Sequence, residues 1–264
     1  MDDAFALIDR ARQGDRDAME SVLESVAPSI RRFALGMCRN DADADDVVQD
    51  ALLSIATNLG SFEGRSAFAT WAFTLARTAC SRRRRGLKNK PAEGDEVLAA
   101  KPSEARTPEE QASSQEMRAL VTNALDTLPE DYRAVLWLRD GEGLTAPEAA
   151  VVLETSVDAL KSRLHRARSA LRGALAPVLE SGRPAPGPDC PDVVTALSHK
   201  LEDDLDAEAC AEMEKHVESC AACAATCDTL KGALRACRSA RGEVPPHIKA
   251  QVKAAVAAWL KTRA

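Results

Sequence analysis

No stretch of this 264-residue chain approaches the length of a membrane-spanning helix, which takes about 20 apolar residues. The N-terminus also lacks the charged-then-apolar order of a secretory signal. Both absences predict a cytoplasmic protein without membrane contact, in a compartment where thiols stay reduced. No segment alternates apolar and polar residues like a half-buried strand, so the expected fold class is all-α. Catalytic constellations are missing too. His199 and His247 have no triad partners, and the Asp/Glu runs read as helix starts and surface, so no enzyme is expected. Aromatic residues are scarce, with five Phe, three Trp and one Tyr, and any clustering of them is therefore informative.

An overall basic excess is also lacking. The net charge is −6, which excludes a simple basic nucleic-acid binder. The sign is unevenly spread, however. Arg82 to Arg85 form a basic run, and Lys161, Arg163, Arg166, Arg168 and Arg172 gather in one short stretch. By contrast, Glu202, Asp203, Asp204, Asp206, Glu208, Glu212, Glu214 and Glu218 make an acidic stretch. Such asymmetry points to a nucleic-acid contact in the basic part. The acidic part is then either a solvated surface or a partner that competes with DNA for the basic faces.

Helical periodicity and breaks divide the chain into a first helical part (1–86), a linker (87–113), a second helical part (114–180) and a Pro/Gly linker (181–189). A Cys-rich segment (190–240) and an amphipathic helix (241–264) follow. In the first part an acid-rich helix opens at Asp41 to Asp46 and stops near Asn58-Leu59-Gly60. In the last helix Ile248, Val252, Val256, Trp259 and Leu260 share one face, a docking stripe for another part of the chain.

Two features of the second part suggest a helix-turn-helix. Thr145 as N-cap and Glu148 three residues on form a capping box, and the helix breaks at Glu154-Thr155-Ser156. The next helix turns Val157, Leu160, Leu164, Ala167 and Leu171 inward. Lys161, Ser162, Arg163, His165 and Arg166 then face outward to meet phosphates and guanine edges. The alternative is a solvated basic face. In the first part, Phe62, Phe68, Trp71 and Phe73 lie just before the basic run, a pattern suited to unstacked bases, although Trp71 and Phe73 read as core.

Asp43 to Leu53 followed by Phe62 to Arg77 resembles region 2 of extracytoplasmic-function sigma factors of the sigma-70 family. Leu128 to Arg139, with the helix-turn-helix and Lys161 to Arg168, resembles their region 4. The resemblance implies a transcription initiation factor that binds core RNA polymerase through its β′ clamp helices and β flap, and promoter DNA at −10 and −35. It assigns Asp45, Asp46, Gln49 and Asp50 to the polymerase contact. Phe62, Ser66, Arg77 and Thr78 are assigned to the −10 bases, and the outward face of the second helix to −35.

Six of the eight cysteines fall in the last third. Cys190, His216, Cys220 and Cys223 read C-x25-H-x3-C-x2-C, a spacing suited to zinc. His216 and Cys220 share one face of a helix ending near Ser219. The pattern is similar to the zinc-binding anti-sigma domain, and the surplus Cys210, Cys227 and Cys237 resemble the metal-responsive subgroup, with cadmium or copper as further inducing metals. A structural zinc, a metal sensor and a redox sensor all remain open, as do a metal-dependent helix-turn-helix repressor and a metal buffer. The sensor reading expects the Cys-rich segment to contact the sigma-like parts, with metal reordering it to free their binding faces. Cys38 and Cys80 stand apart and read as small buried apolar residues.

Overall fold

The computed structural model describes residues 2–38, 40–64, 66–87, 108–182, 185–239 and 243–261. Every regular element among them is helical, as the missing strand pattern requires. In chain order these are α1 (Asp2–Arg12), α2 (Arg16–Met37), α3 (Asp41–Asn58), α4 (Phe68–Leu87), α5 (Pro108–Asp126) and α6 (Glu130–Leu136). A π turn at Trp137–Gly141 follows, then α7 (Ala146–Leu153), α8 (Val157–Leu179), α9 (Val193–Lys200), α10 (Ala207–Ser219), α11 (Ala221–Arg238) and α12 (Pro246–Lys261). No helix among the described residues is long and apolar enough to cross a membrane.

The chain forms two compact units. One comprises residues 1–98, 151–154 and 241–264; the other comprises 99–150 and 155–240. Most of the expected linker, residues 88–107, lies outside the described residues, but α5 starts at Pro108, inside the segment expected to be linker.

In the first unit α2, α3 and α4 pack on one another around Phe33, Val48, Ile55 and Phe73. Their starts are set locally. The Asp15 carboxylate accepts from the Ala18 N–H at 3.0 Å, and Asn40 accepts from the Asp43 N–H at 2.8 Å. The α12 stripe seats on α3 and α2 with Ile248, Val252 and Val256 buried, so the amphipathic helix docks within the chain. Burial of such side chains stabilises by about 1.5–3 kcal/mol each, enough to hold a short helix in place.

In the second unit α6 packs on α8, the second helix of the helix-turn-helix, and α11 packs on α8, on α5 and on the π turn. The Cys-rich segment therefore shares a core with α5, α8 and the π turn and is not a body of its own, in contrast to the sequence-based division at 181–189. Leu230, Ala233 and Leu234 of α11 supply that shared core. The capping box forms as expected: the Thr145 N–H and Oγ1 donate to Glu148 Oε2 at 2.8 and 2.7 Å. Glu154 turns the chain with φ of 52°, and Ser156 caps α8 by accepting from the Ala159 N–H.

Candidate functional site

In the first unit α3 carries Asp45, Asp46, Gln49 and Asp50 along one face. Asp46 and Asp50 are exposed, whereas Asp45 and Gln49 are half-buried. Asp45 lies 3.3 Å from Arg31 and 3.9 Å from His247 Nε2 at the start of α12. Further along α12, Lys253 pairs with Glu20 at 2.9 Å and Glu24 at 3.5 Å. Arg83, from the basic run, bonds Asp43 and Asp46 at 2.6 and 2.8 Å.

Phe62 departs from its expected role. It is 2% exposed, with its ring 5.4 Å from both Phe68 and Trp71, so it closes an aromatic cluster instead of facing bases. Its carbonyl accepts from the Arg12 guanidinium, which turns the loop inward. Ser66, Arg77 and Thr78 are half-buried, and Thr78 Oγ1 donates to the Thr74 carbonyl. Cys38 and Cys80, read as separate residues, lie thiol to thiol, which raises the buried Cys80 well above its ordinary value and lowers Cys38.

The second unit assembles the four expected metal ligands. The ligand atoms of Cys190, His216, Cys220 and Cys223 all lie within 4.8 Å of one another. Helix α10 ends at Ser219, as predicted, so His216 sits one turn before Cys220; α11 then starts at Ala221 and places Cys223 in its first turn. Tetrahedral zinc with Zn–S near 2.3 Å and Zn–N near 2.0–2.1 Å needs about 3.8 Å between sulfurs and about 3.5 Å between nitrogen and sulfur. The observed distances are 3.9 Å from Cys190 Sγ to Cys220 Sγ and 3.3 Å from His216 Nε2 to Cys223 Sγ. Three thiols and an imidazole at these separations fit zinc. The Cys223 backbone N–H lowers the Cys220 thiol, while burial and the Cys190 and Cys220 thiols push Cys223 up to about 12.

The surplus cysteines stand outside this group. Cys227 and Cys237 are buried on α11, and burial raises both, Cys237 to about 12. Cys210 is half-buried on α10 beside Lys200 and Glu214.

On α8, Ser162 and Arg166 are exposed, while Lys161, Arg163 and His165 are half-buried and engaged. Lys161 Nζ lies 2.5 Å from Asp204, Arg163 lies 3.4 Å from Asp131, and His165 Nδ1 lies 2.7 Å from Ser198 Oγ. The His165 and His199 rings stack with centroids 3.9 Å apart. Burial, then His199 and Arg168, hold the His165 imidazole below its ordinary value.

Sequence periodicity did not single out the network beneath. Arg168 is 1% exposed and donates to Asp140 through Nε and Nη2, to Glu202 at 2.9 Å, and to both the carbonyl and Oγ of Ser198. Glu202 also pairs with Arg139. Arg168 lies next to Ala167 on the inward stripe, the one sequence signal that its charge has to be met inside. Asp140 and Glu202, the residues that meet it, come from distant segments with no shared spacing.

Residues 22–90 match the family model "Sigma-70 region 2" and residues 118–171 match "Sigma-70, region 4". The chain is 30% identical to the RNA polymerase sigma-H factor of Pseudomonas aeruginosa over 66% of its own length and 94% of that protein. It is 33% identical to the ECF RNA polymerase sigma factor EcfG of Rhodopseudomonas palustris, over 60% of the chain and 86% of that protein. Among solved structures it is similar to the sigma factor RpoE of Bartonella quintana, crystallised with the anti-sigma factor NepR. That match has 27% identity and a TM-score of 0.48, over 61% of this chain and 96% of the other.

Proposed function

The chain belongs to the extracytoplasmic-function group of sigma-70 family factors, which initiate transcription and are not enzymes, and we propose that its C-terminal third controls it in cis. Core RNA polymerase and promoter DNA are its partners. In this reading α3 meets the β′ clamp helices, α4 the −10 element, and α8 the major groove at −35, with the β flap beside the second helical part.

One observation carries the proposal. The Cys-rich segment engages the side chains of α8 that would read DNA: Asp204 holds Lys161, and Ser198 holds His165. A helix whose basic face is paired this way does not offer those groups to phosphates or base edges. The acidic stretch thus acts as the competitor for the basic face. The docking of α12 beside Asp45 on α3 supports the same reading at the polymerase face.

Cys190, His216, Cys220 and Cys223 would hold zinc, which supplies cross-links that fix α10 and α11 where they cover α8. Four protein ligands leave no open position, the mark of a structural site. Burial raises the thiols of Cys227 and Cys237 and makes them less reactive than exposed ones, which supports zinc over a redox role.

The test is transcription from a matched promoter with core polymerase and the full-length chain. Asp204→Ala and Val252→Asp are each expected to raise output, by about tenfold if the coupling is typical. Output equal to that of the parent chain in both variants would overturn control in cis.

A further inference from the structure

The second unit holds another cluster of ligand-type side chains. His165 on α8, His199 on α9 and Asp204 just beyond α9 place their ligand atoms within 4.8 Å of one another. We propose that these three residues form a second metal site, for a borderline divalent cation such as zinc, cobalt or nickel, which clasps the DNA-reading helix to the Cys-rich segment.

Local structure builds the site. After Lys200 the chain reverses through Asp203, whose φ of 55° is left-handed, and the Asp204 N–H donates to the His199 carbonyl at 3.0 Å. The Asp204 carboxylate is thereby set beside the His199 ring. Across from it the His165 ring stacks on His199 with a tilt of 32°. Ser198 Oγ lies 2.7 Å from His165 Nδ1 and accepts from buried Arg168 at 3.1 Å. Metal-binding histidines are commonly held in this manner, with one ring nitrogen fixed by a hydrogen bond and the other free for the ion.

The donor chemistry differs from that of the thiolate site. Two imidazoles and a carboxylate suit zinc, cobalt or nickel, and three protein ligands leave a position for water. The two His residues are half-buried and Asp204 is exposed, and three protein ligands hold an ion less firmly than the four of Cys190, His216, Cys220 and Cys223, so an ion can enter and leave. Without metal, Lys161 supplies the positive charge next to Asp204. An incoming divalent ion takes over that carboxylate and ties His165 to α9, so filling the site keeps α8 from DNA. This gives metal the opposite sign to the release mechanism expected from sequence, and its consequence for promoters rests on control in cis.

The experiment titrates cobalt(II) into the metal-stripped full-length chain. Two equivalents are expected: a tight one with thiolate-to-cobalt charge-transfer absorption and a weaker one without it. His199→Ala should abolish the weaker one and leave the thiolate band, while Cys220→Ser should do the reverse. A single equivalent in the parent chain, or a second one indifferent to His199→Ala, overturns the site. In holoenzyme binding to promoter DNA, zinc beyond the first equivalent should weaken the parent by about tenfold and His199→Ala not at all. An equal response in the two chains overturns the clasp. Control in cis fails separately, if Asp204→Ala and Val252→Asp leave transcription unchanged in chains loaded with only the first equivalent of zinc.

Discussion

Arg168 shows how one residue can carry a contact that its local sequence does not reveal. Its guanidinium is enclosed with Asp140 and Glu202, and Glu202 also receives Arg139, so two positive and two negative groups balance in a buried site. Removing one partner from such a set strands charge without solvent. Glu202→Ala is therefore expected to lower the stability of the second unit by about 3–5 kcal/mol, measured by urea denaturation. A loss below about 1 kcal/mol would mean that water reaches the arginines, as at an exposed pair. The proximity of His216, Cys220 and Cys223 could be read from spacing because they sit on adjoining helix ends, whereas Cys190 comes from the turn before α9. Lys161 and His165 were legible as part of an outward basic face, but the residues that hold them, Asp204 and Ser198, were not. Phe62 was misplaced because an aromatic beside a basic run has the same sequence signature whether it faces DNA or a neighbouring ring.

At the scale of elements, the ends of α3, α10 and α7 follow from caps and breaks in the sequence, since those hydrogen bonds join residues three or four apart. The π turn at Trp137–Gly141 has no such local signature. It bulges the chain so that Asp140 points inward to Arg168, and it needs a residue without a side chain at its end. A β-carbon on Gly141 would lie 2.7 Å from Cε3 of buried Trp137. Gly141→Ala should therefore destabilise the second unit by about 1–3 kcal/mol, seen as a lowered Tm; an unchanged Tm would show that the indole can shift aside. The stripe on α12 was visible as apolar spacing. That it would lie on α3 was not, because a stripe specifies burial but not its partner.

For the molecule as a whole, the proposed zinc links folding to control. Stripping metal with a strong chelator is expected to release one tightly held zinc per chain and to loosen α10 and α11, with loss of helical circular dichroism; Cys220→Ser should mimic it. Retention of full helicity without metal would assign the cover over α8 to the Arg168 network alone. The sequence by itself determined that the chain is all-helical, that it carries sigma regions 2 and 4, and that four residues near the C-terminus have zinc spacing. Each of those rests on patterns within a few turns of helix or on a match to a family. Only the tertiary structure decided that the Cys-rich segment shares a core with α5, α8 and the π turn, that its acidic turn meets the basic face of α8, and that α12 covers α3. Those contacts join residues tens of positions apart, and charge and apolar spacing constrain which surfaces are sticky without specifying which of them meet.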